Sequence, residues 1–159
     1  MKLPYFSAWG ELVETIKVKE NRFGTFYIAT RVLKVKGKAY KIKQTRTEPN
    51  AERAEWKLSR RQMISILEHT EPEDWLFRSV GHYDGQVDGW VYDREGWREA
   101  TPQLIEWIIR QLQQFDYTIY FLAKDEDNYG NKVEPNTFEI FDIAIHSFRL
   151  KPKDGIVSF

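Results

Sequence analysis

The stretch that decides the fold is residues 15–47, which read TIKVKENRFGTFYIATRVLKVKGKAYKIKQTRT. Near both of its ends apolar residues alternate with lysines, as Tyr40 and Ile42 do. A period of two is typical of a strand with one buried face. Turn residues at 21–24 and 37–38 separate these ends from a middle rich in Phe, Tyr, Ile, Val and Thr. The stretch therefore predicts three consecutive antiparallel strands.

The next segment, residues 50–69, contains neither glycine nor proline, and Pro49 before it suits the first turn of a helix. Its apolar residues recur at about helical spacing, at Trp56, Met63, Ile66 and Leu67. The segment therefore predicts a first helix that follows the three strands.

The strongest local signal in the sequence is that of a second helix after residue 100. Thr101 is a good N-cap, and Pro102 fits the first helical position. The helix then presents a single apolar stripe, which has to face a core. The residues of this stripe are Leu104, Ile105, Ile108, Ile109, Leu112 and Phe115.

Four further strands are expected in the second half of the chain. Residues 75–83 and 89–93 flank the turn dipeptide Asp84-Gly85. Residues 117–124 and 137–150 flank a polar loop. The last of these strands is apolar on both faces in its middle, which predicts a central position in the sheet.

The order of elements is therefore βββ-α-ββ-α-ββ. It predicts a single α+β domain over residues 1–150, with a largely antiparallel sheet of about six or seven strands and two helices. Residues 151–159 are expected to form a flexible C-terminal tail. Regular βαβ alternation is missing from this order, which argues against a doubly wound nucleotide-binding fold.

The composition of the 159 residues is that of an ordinary globular protein, and one core is expected at this length. The sequence contains no cysteine, which excludes disulfides and thiolate metal sites. No apolar run approaches the roughly 18 residues that a membrane span requires. We expect a cytoplasmic protein without a membrane partner, although a cysteine-free chain can also be exported, and the oligomeric state stays open.

Charge is unevenly distributed along the chain, although the formal net charge is zero. Residues 1–50 hold 11 basic and 4 acidic residues, a net of +7. Residues 51–100 hold 7 basic and 11 acidic residues, a net of −4, and residues 101–159 hold 6 and 9, a net of −3. The basic first third either offers a positive face to a polyanion or attracts the acidic remainder of the fold.

The candidate binding residues come from this basic third and from the first predicted helix. Lysines interleaved with aromatic rings on a sheet are typical of proteins that track a single nucleic-acid strand and stack its bases. The leading hypothesis is a non-enzymatic protein that binds single-stranded or structured nucleic acid. The residues predicted to do so are Lys34, Lys36, Lys41 and Lys43 on the strands, Arg53, Lys57, Arg60 and Arg61 on one stripe of the helix, and the rings of Tyr27 and Tyr40.

Six aromatic residues crowd into residues 75–97 and suggest an alternative. If several of them are exposed, they form a platform for a partner, and if they are buried, they form the core beneath the second helix. The alternative hypothesis is a protein-protein interaction module, such as a small microbial or phage accessory or inhibitor protein. Its predicted partner-binding residues are Trp75, Trp90 and Trp97.

No motif predicts catalysis, a cofactor or a metal ion. The loop at residues 125–136 begins like a calcium loop, but Tyr129 and Asn136 occupy positions that need other ligands. The three histidines are dispersed without a metal-ligand spacing. The triplet Glu55-Trp56-Lys57 has the residue types of a restriction-type nuclease site, which belongs on a strand, whereas here it falls in a predicted helix. We therefore expect no catalytic residue, no cofactor and no bound metal.

Overall fold

The computed structural model describes residues 2–6, 12–51, 53–84, 86, 89–91, 96–142, 147–153 and 157–158. This part of the chain contains two α-helices and twelve strands, all paired antiparallel. The α+β class and the largely antiparallel sheet are therefore confirmed. The number of strands exceeds the six or seven that the sequence predicts.

The elements follow the chain in a simple order. The first half contains β1 (Lys2–Phe6), β2 (Leu12–Asn21), β3 (Gly24–Val35), β4 (Lys38–Arg46), β5 (Glu55–Leu58), α1 (Arg60–His69) and β6 (Trp75–Asp84). The second half contains β7 (Gly89–Val91), β8 (Arg98–Glu99), α2 (Pro102–Gln114), β9 (Thr118–Leu122), β10 (Thr137–Phe141), β11 (Ser147–Pro152) and β12 (Val157–Ser158). Ten strands lie side by side in the order β1-β2-β3-β4-β5-β9-β10-β11-β6-β7, while β8 pairs with β6 and β12 with β3.

The predicted meander is confirmed as β2, β3 and β4. Each pair of neighbours runs antiparallel through eight or nine registered residue pairs. The turn between β3 and β4 uses Lys36 and Gly37, both with positive φ, as a two-residue hairpin turn of type I′ requires. Because successive side chains point to opposite faces, the meander separates its exposed lysines from the apolar residues that it buries.

Both helices pack on one face of the sheet and form the core with it. The second helix is confirmed: Thr101 caps it by accepting from the backbone N–H of Leu104, and Ile105, Ile108 and Leu112 are buried. These side chains join the inward-facing residues of β3, β4, β5, β9, β10 and β11 in one hydrophobic cluster. We call this covered side the helix face of the sheet and the opposite side the outer face.

The prediction of the first helix is wrong at its beginning. Trp56 and Leu58 are buried while Lys57 between them is exposed, and this alternation makes β5 a strand that pairs with β9. The helix begins only at Arg60, after Ser59, whose hydroxyl accepts from the backbone N–H of Gln62 while the Gln62 side chain accepts from the Ser59 N–H. This capping box fixes the start of a helix. Arg53 and Lys57 therefore share no helical stripe with Arg60 and Arg61.

The prediction of one long strand over residues 137–150 is also wrong. The chain forms β10 and β11 instead, which pair with each other, so the direction of the chain reverses between them. The apolar residues at 143–145 lie outside the described residues. Of the segment 151–159, Lys151 and Pro152 belong to β11, and Val157 and Ser158 pair with Val35 and Lys34 of β3.

Neither of the two described helices is long and apolar enough to span a membrane.

Candidate nucleic-acid interface

Six exposed lysines lie together on the outer face of the first half of the sheet. All six occupy strand positions whose neighbours in sequence point toward the helix face. They come from four adjacent strands, β2 to β5, and we call the surface they form the lysine face. Its members are Lys17 and Lys19 on β2, Lys34 on β3, Lys41 and Lys43 on β4, and Lys57 on β5.

The strand register brings these lysines into neighbouring rows. Lys43 lies opposite Lys57 on β5 and opposite Thr30 on β3. Lys41 lies opposite Val32, and Lys17 opposite Ile28. Residues directly opposite in an antiparallel pair have Cβ atoms about 5 Å apart. The lysines therefore form one patch of positive charge interrupted by small and apolar side chains.

None of these six lysines forms an ion pair with any residue that the structure describes. The other half of the sheet is different, because Arg149 binds Glu139 at 2.9 Å and Lys151 binds Glu134. The hydrogen bond from Lys151 lowers the pKa of the Glu134 carboxyl. Among the described residues, the positive charges of β11 are therefore compensated by paired carboxylates, whereas those of the lysine face are not.

Aromatic and apolar side chains lie among and beside the lysines on the same face. Phe26 is partly buried and lies opposite Lys19, and Val32 is 37% exposed. On the far side of β5, Tyr120 lies opposite Lys57 and its ring packs 5.7 Å from that of Phe141. The outer face thus combines cations with flat or branched apolar groups that can contact bases.

Only part of the predicted binding set lies on this face. Lys34, Lys41, Lys43 and Lys57 belong to it, and Arg53 is exposed just before β5. Lys17 and Lys19 also belong to it, and Phe26 lies beside them on the outer face, although the predicted set included none of the three. Their places in the alternating pattern of β2 and β3 were the signal that could have identified them.

The remaining predicted cations have structural contacts or lie on the helix face. Lys36, in the β3–β4 turn, forms an ion pair with Asp74. Arg60 donates to the backbone carbonyls of Leu112 and Phe115 at 3.2 and 2.6 Å, at the C-terminal end of α2, where a positive charge is favourable. Arg61 is exposed on α1, on the helix side of the sheet.

The two predicted stacking rings, Tyr27 and Tyr40, lie on the helix face. Tyr40 is buried and its hydroxyl is 3.0 Å from the Ser65 hydroxyl of α1, so its ring belongs to the core. Tyr27 is partly buried and packs against the same core. Strand alternation already implies this result, since Tyr40 lies between Ala39 and Lys41, which point the other way.

Two arginines of the basic segment are buried rather than exposed. Arg31 is 1% exposed and Arg46 is 0% exposed. Their guanidinium carbons lie 4.7 and 5.8 Å from the ring centroid of Trp56, a cation–π arrangement. Arg46 also donates to the side-chain oxygen of Gln44 and to the carbonyl of Pro49. These two charges therefore contribute to the core and not to the lysine face.

Of the residues of the alternative hypothesis, the structure describes the side chains of Trp75 and Trp97. Trp75 is completely buried and its indole N–H donates to Thr70 at 2.7 Å, so its ring belongs to the core. Trp97 is partly exposed and donates to Glu134 at 3.2 Å. The side chain of Trp90 lies outside the described part of the structure.

A cavity of about 390 Å³ opens on the outer face where β4 and β5 separate. The two strands share only one registered pair, Lys43 and Lys57. Beyond it the Gln44 side chain fills the gap by donating to the backbone carbonyls of Arg53 and Glu55, at 2.6 and 3.0 Å. The cavity is lined by Ile28, Lys43, Thr45, Arg53, Glu55, Lys57, Tyr120 and Asn128 around the Gln44 side chain.

A carboxylate and an amide are held in place at one side of this cavity. The side-chain oxygen of Asn128 accepts from the backbone N–H of Ala54 at 2.9 Å, and its nitrogen donates to Glu55 Oε2 at 3.1 Å. Burial raises the pKa of the Glu55 carboxyl, and the carboxylates of Glu139 and Asp127 raise it further. The cavity therefore presents an oriented acceptor between two lysines and a tyrosine.

The loop at residues 125–136 is a polar hairpin loop, as the sequence predicts. Glu126 and Lys132 form an antiparallel bridge, and the Asp127 carboxylate accepts from the backbone N–H groups of Tyr129 and Asn131. Within the residues described by the structure, no group of three or more His, Asp or Glu side chains could hold a metal ion.

The triplet Glu55-Trp56-Lys57 lies on strand β5, and its placement in a helix was wrong. Glu55 and Lys57 both point to the outer face, while Trp56 points into the core. Strand placement brings Glu55 into the cavity beside the lysine face, which a helix would not have done.

Comparison of the chain with protein-family models, with curated proteins and with solved structures finds no match. Function therefore has to follow from the chain's own residues.

Proposed function

We propose that this protein binds single-stranded nucleic acid across the lysine face and does so without catalysis. The observation that carries the proposal is that six exposed lysines from four adjacent strands occupy one open side of the sheet. Phosphate groups are the most abundant polyanionic partner for such a patch, and Lys binds them as a mobile point charge.

The size of the patch suits several nucleotides of an extended strand. Neighbouring strands of a sheet are about 4.8 Å apart, so β2 to β5 span roughly 14 Å, and alternate residues along a strand are about 6.8 Å apart. Sheet-based binders of single strands occupy about 4–16 nucleotides per domain. The lysine face is therefore large enough to contact several successive phosphates.

The apolar groups on the outer face favour a single strand over a duplex. Bases can contact Phe26, Val32 or Tyr120 only if they are unpaired and turned toward the sheet. The overall neutrality of the chain does not oppose this arrangement, because the charges are segregated and the local potential depends on the nearby lysines. Binding should accordingly be strong only at modest ionic strength.

The proposal is tested by titrating the protein with a fluorescent oligonucleotide of about 12 nucleotides, as DNA and as RNA, at several salt concentrations. Affinity should fall steeply with salt, with a log-log slope of about −0.7 for each phosphate that a lysine neutralises. No binding tighter than roughly 0.1 mM at physiological salt would contradict the proposal.

A pair of matched double variants separates the lysine face from general charge. Replacing Lys41 and Lys43 by Glu should abolish binding and leave the thermal melt nearly unchanged, because exposed charges contribute little to stability. The control replaces Arg61 of α1 and Arg110 of α2 by Glu, which changes the net charge equally at exposed sites on the helix side. The control should retain most of the affinity. Equal losses in both variants would show that the lysine face is not the contact surface.

A further inference from the structure

The cavity between β4 and β5 lies within reach of the lysine face and has a chemistry of its own. Lys43 and Lys57 are members of the lysine face and also line this cavity. Ile28 supplies an apolar wall next to Thr45, and Tyr120 lies on the other side. Its volume of about 390 Å³ is within the usual range of small-ligand pockets, roughly 300–1,000 Å³. A strand that follows the lysines can therefore place one base in it.

The polar group that faces this base is fixed before binding. The backbone N–H of Ala54 can only donate, so the Asn128 oxygen must face it and the Asn128 nitrogen must face Glu55. This contact holds Glu55 Oε2 as an acceptor. A carboxylate has about four acceptor positions, and one donor from Asn128 leaves room for two more. The cavity therefore presents an acceptor pair in a set orientation.

The two carboxylate oxygens of Glu55 distinguish the bases by the hydrogen-bond donors that each base presents. Guanine carries two adjacent donors on its Watson–Crick edge, N1–H and the N2 amino group. Adenine and cytosine each place one amino group beside a ring nitrogen that is itself an acceptor, and uracil and thymine place one N–H between two carbonyls. Only guanine meets both oxygens of a carboxylate without setting acceptor against acceptor.

We propose that this cavity holds one guanine base of the bound strand, with the Glu55 carboxylate accepting from N1–H and from the N2 amino group. Asn128 is the positioning residue for Glu55. Lys43 and Lys57 lie at the cavity to meet the adjoining phosphates. The inference rests on the proposed binding of a single strand and adds a base preference to it.

The experiment compares short oligothymidylates that differ in one central position. The central base is guanine, hypoxanthine, adenine, cytosine or thymine, and a single guanine avoids self-association of the probe. The guanine strand should bind about 10-fold more tightly than the thymine, adenine and cytosine strands, the usual size of a bidentate contact. The hypoxanthine strand keeps N1–H but lacks the amino group, so its affinity should be intermediate. Because this comparison uses the wild-type protein, it does not depend on the folding of any variant.

The variant Glu55→Gln should remove the guanine preference while the salt slope stays the same. Its amide replaces one acceptor by a donor and keeps the size of the side chain. The matched control is Glu139→Gln, which changes a carboxylate that is also on the outer face but binds Arg149 and does not line the cavity. The control should keep the preference. A preference that survives Glu55→Gln would overturn the assignment.

A titration with guanosine monophosphate, monitored by NMR, distinguishes the guanine site from the proposed binding of a single strand. If the strands bind equally well whatever their central base, the guanine assignment fails and the strand-binding function stands. If no strand binds but the mononucleotide binds in a way that Glu55→Gln abolishes, the strand-binding function fails and the cavity stands as a guanine site. If neither the strands nor the mononucleotide binds, both fail.

Discussion

Strand β4 has two faces with opposite chemistry. Tyr40 and Ile42 point into the core and are at most 6% exposed, while Lys41 and Lys43 between and after them are exposed on the other side. The helix face is covered by α1 and α2, whereas the outer face remains open at the lysines. Stability and the proposed binding therefore use different residues of the same strand, and each can be changed without the other.

Charge alone does not decide on which face a residue lies. Arg31 and Arg46 are as deeply buried as the apolar residues around them, while the six lysines of the lysine face are exposed. A guanidinium is planar and weakly hydrated and can stack on an aromatic ring, as both arginines do near Trp56, whereas an ammonium group is strongly hydrated. The difference between the faces is therefore one of packing partners and not of formal charge.

The largest expected effect is a difference in stability between substitutions on the two faces of β4. Ile42→Asp places a carboxylate in the core and should reduce the free energy of unfolding by at least about 4 kcal/mol. The melting temperature should fall by roughly 10 °C or more. Lys43→Asp at the next position should stay within about 2 °C of the wild type, because surface substitutions usually change stability by less than about 0.5 kcal/mol. Similar melts for the two variants would show that the faces are misassigned.

The next effect concerns aromatic rings on the two faces. Phe26→Ala should weaken binding of a single strand by about 1–3 kcal/mol if a base stacks on this ring. Tyr40→Phe should leave the affinity unchanged, because Tyr40 is buried and only its hydroxyl contact with Ser65 is lost. Anisotropy titrations of both variants at one salt concentration make the comparison. If only Tyr40→Phe lost affinity, the bases would stack on the helix face, and the assignment of binding to the outer face would be wrong.

A smaller effect is expected for a cation that is structural rather than part of the lysine face. Arg60→Met removes the donors to the Leu112 and Phe115 carbonyls and should lower stability by about 1 kcal/mol. Affinity for the oligonucleotide should not change. Lys57→Met is the matched comparison on the lysine face, and it should show the reverse, with an unchanged melt and weaker binding. Chemical denaturation and titration of both variants test this.

The smallest effect is a pH dependence at the edge of the lysine face. The folded-state pKa of Glu55 is raised by burial and by neighbouring carboxylates, so the guanine preference should be lost as pH falls through that raised value, above the pH at which an ordinary Glu is protonated. Binding curves at several pH values, with Glu55→Gln as the control, measure this. The titratable groups facing Glu55 or near it are Arg53, Lys57, Lys43, Tyr120, Asp127 and Glu139.

The raised pKa of Glu55 also makes stability depend on pH, in the direction opposite to that caused by a salt-bridged carboxylate, whose pKa is lowered. Because the folded state binds the Glu55 proton more tightly than the unfolded state does, the contribution of Glu55 is most favourable below the unfolded pKa and is lost as pH rises through the folded pKa. Glu55→Gln should therefore melt slightly above the wild type near neutral pH and equal to it at acidic pH. A variant that melts lower at neutral pH would contradict the direction of the shift.

The sequence predicted correctly those elements whose apolar residues keep a regular strand or helix period from end to end. The meander has a strict alternation over β2 and β4, and α2 has both a cap at Thr101 and an apolar stripe, so each is determined by its own residues. The prediction of a helix around Trp56 was wrong because it gave more weight to the near-helical spacing of four apolar residues than to the two-residue alternation of β5. Only pairing with β9 decides between the two, and that strand is more than sixty residues further along the chain.

The sequence by itself determined that this chain has an antiparallel sheet with two helices and that the lysines of β2 to β4 alternate with apolar residues. It also implied, through that alternation, that Tyr40 cannot share a surface with Lys41 and Lys43. The tertiary structure alone decided which face the helices cover, which arginines stack in the core, and that Lys57 and Glu55 come to lie beside Lys43. The physical reason is that alternation is a property of one strand, whereas coverage, burial and the gap between β4 and β5 depend on contacts between residues far apart in the chain.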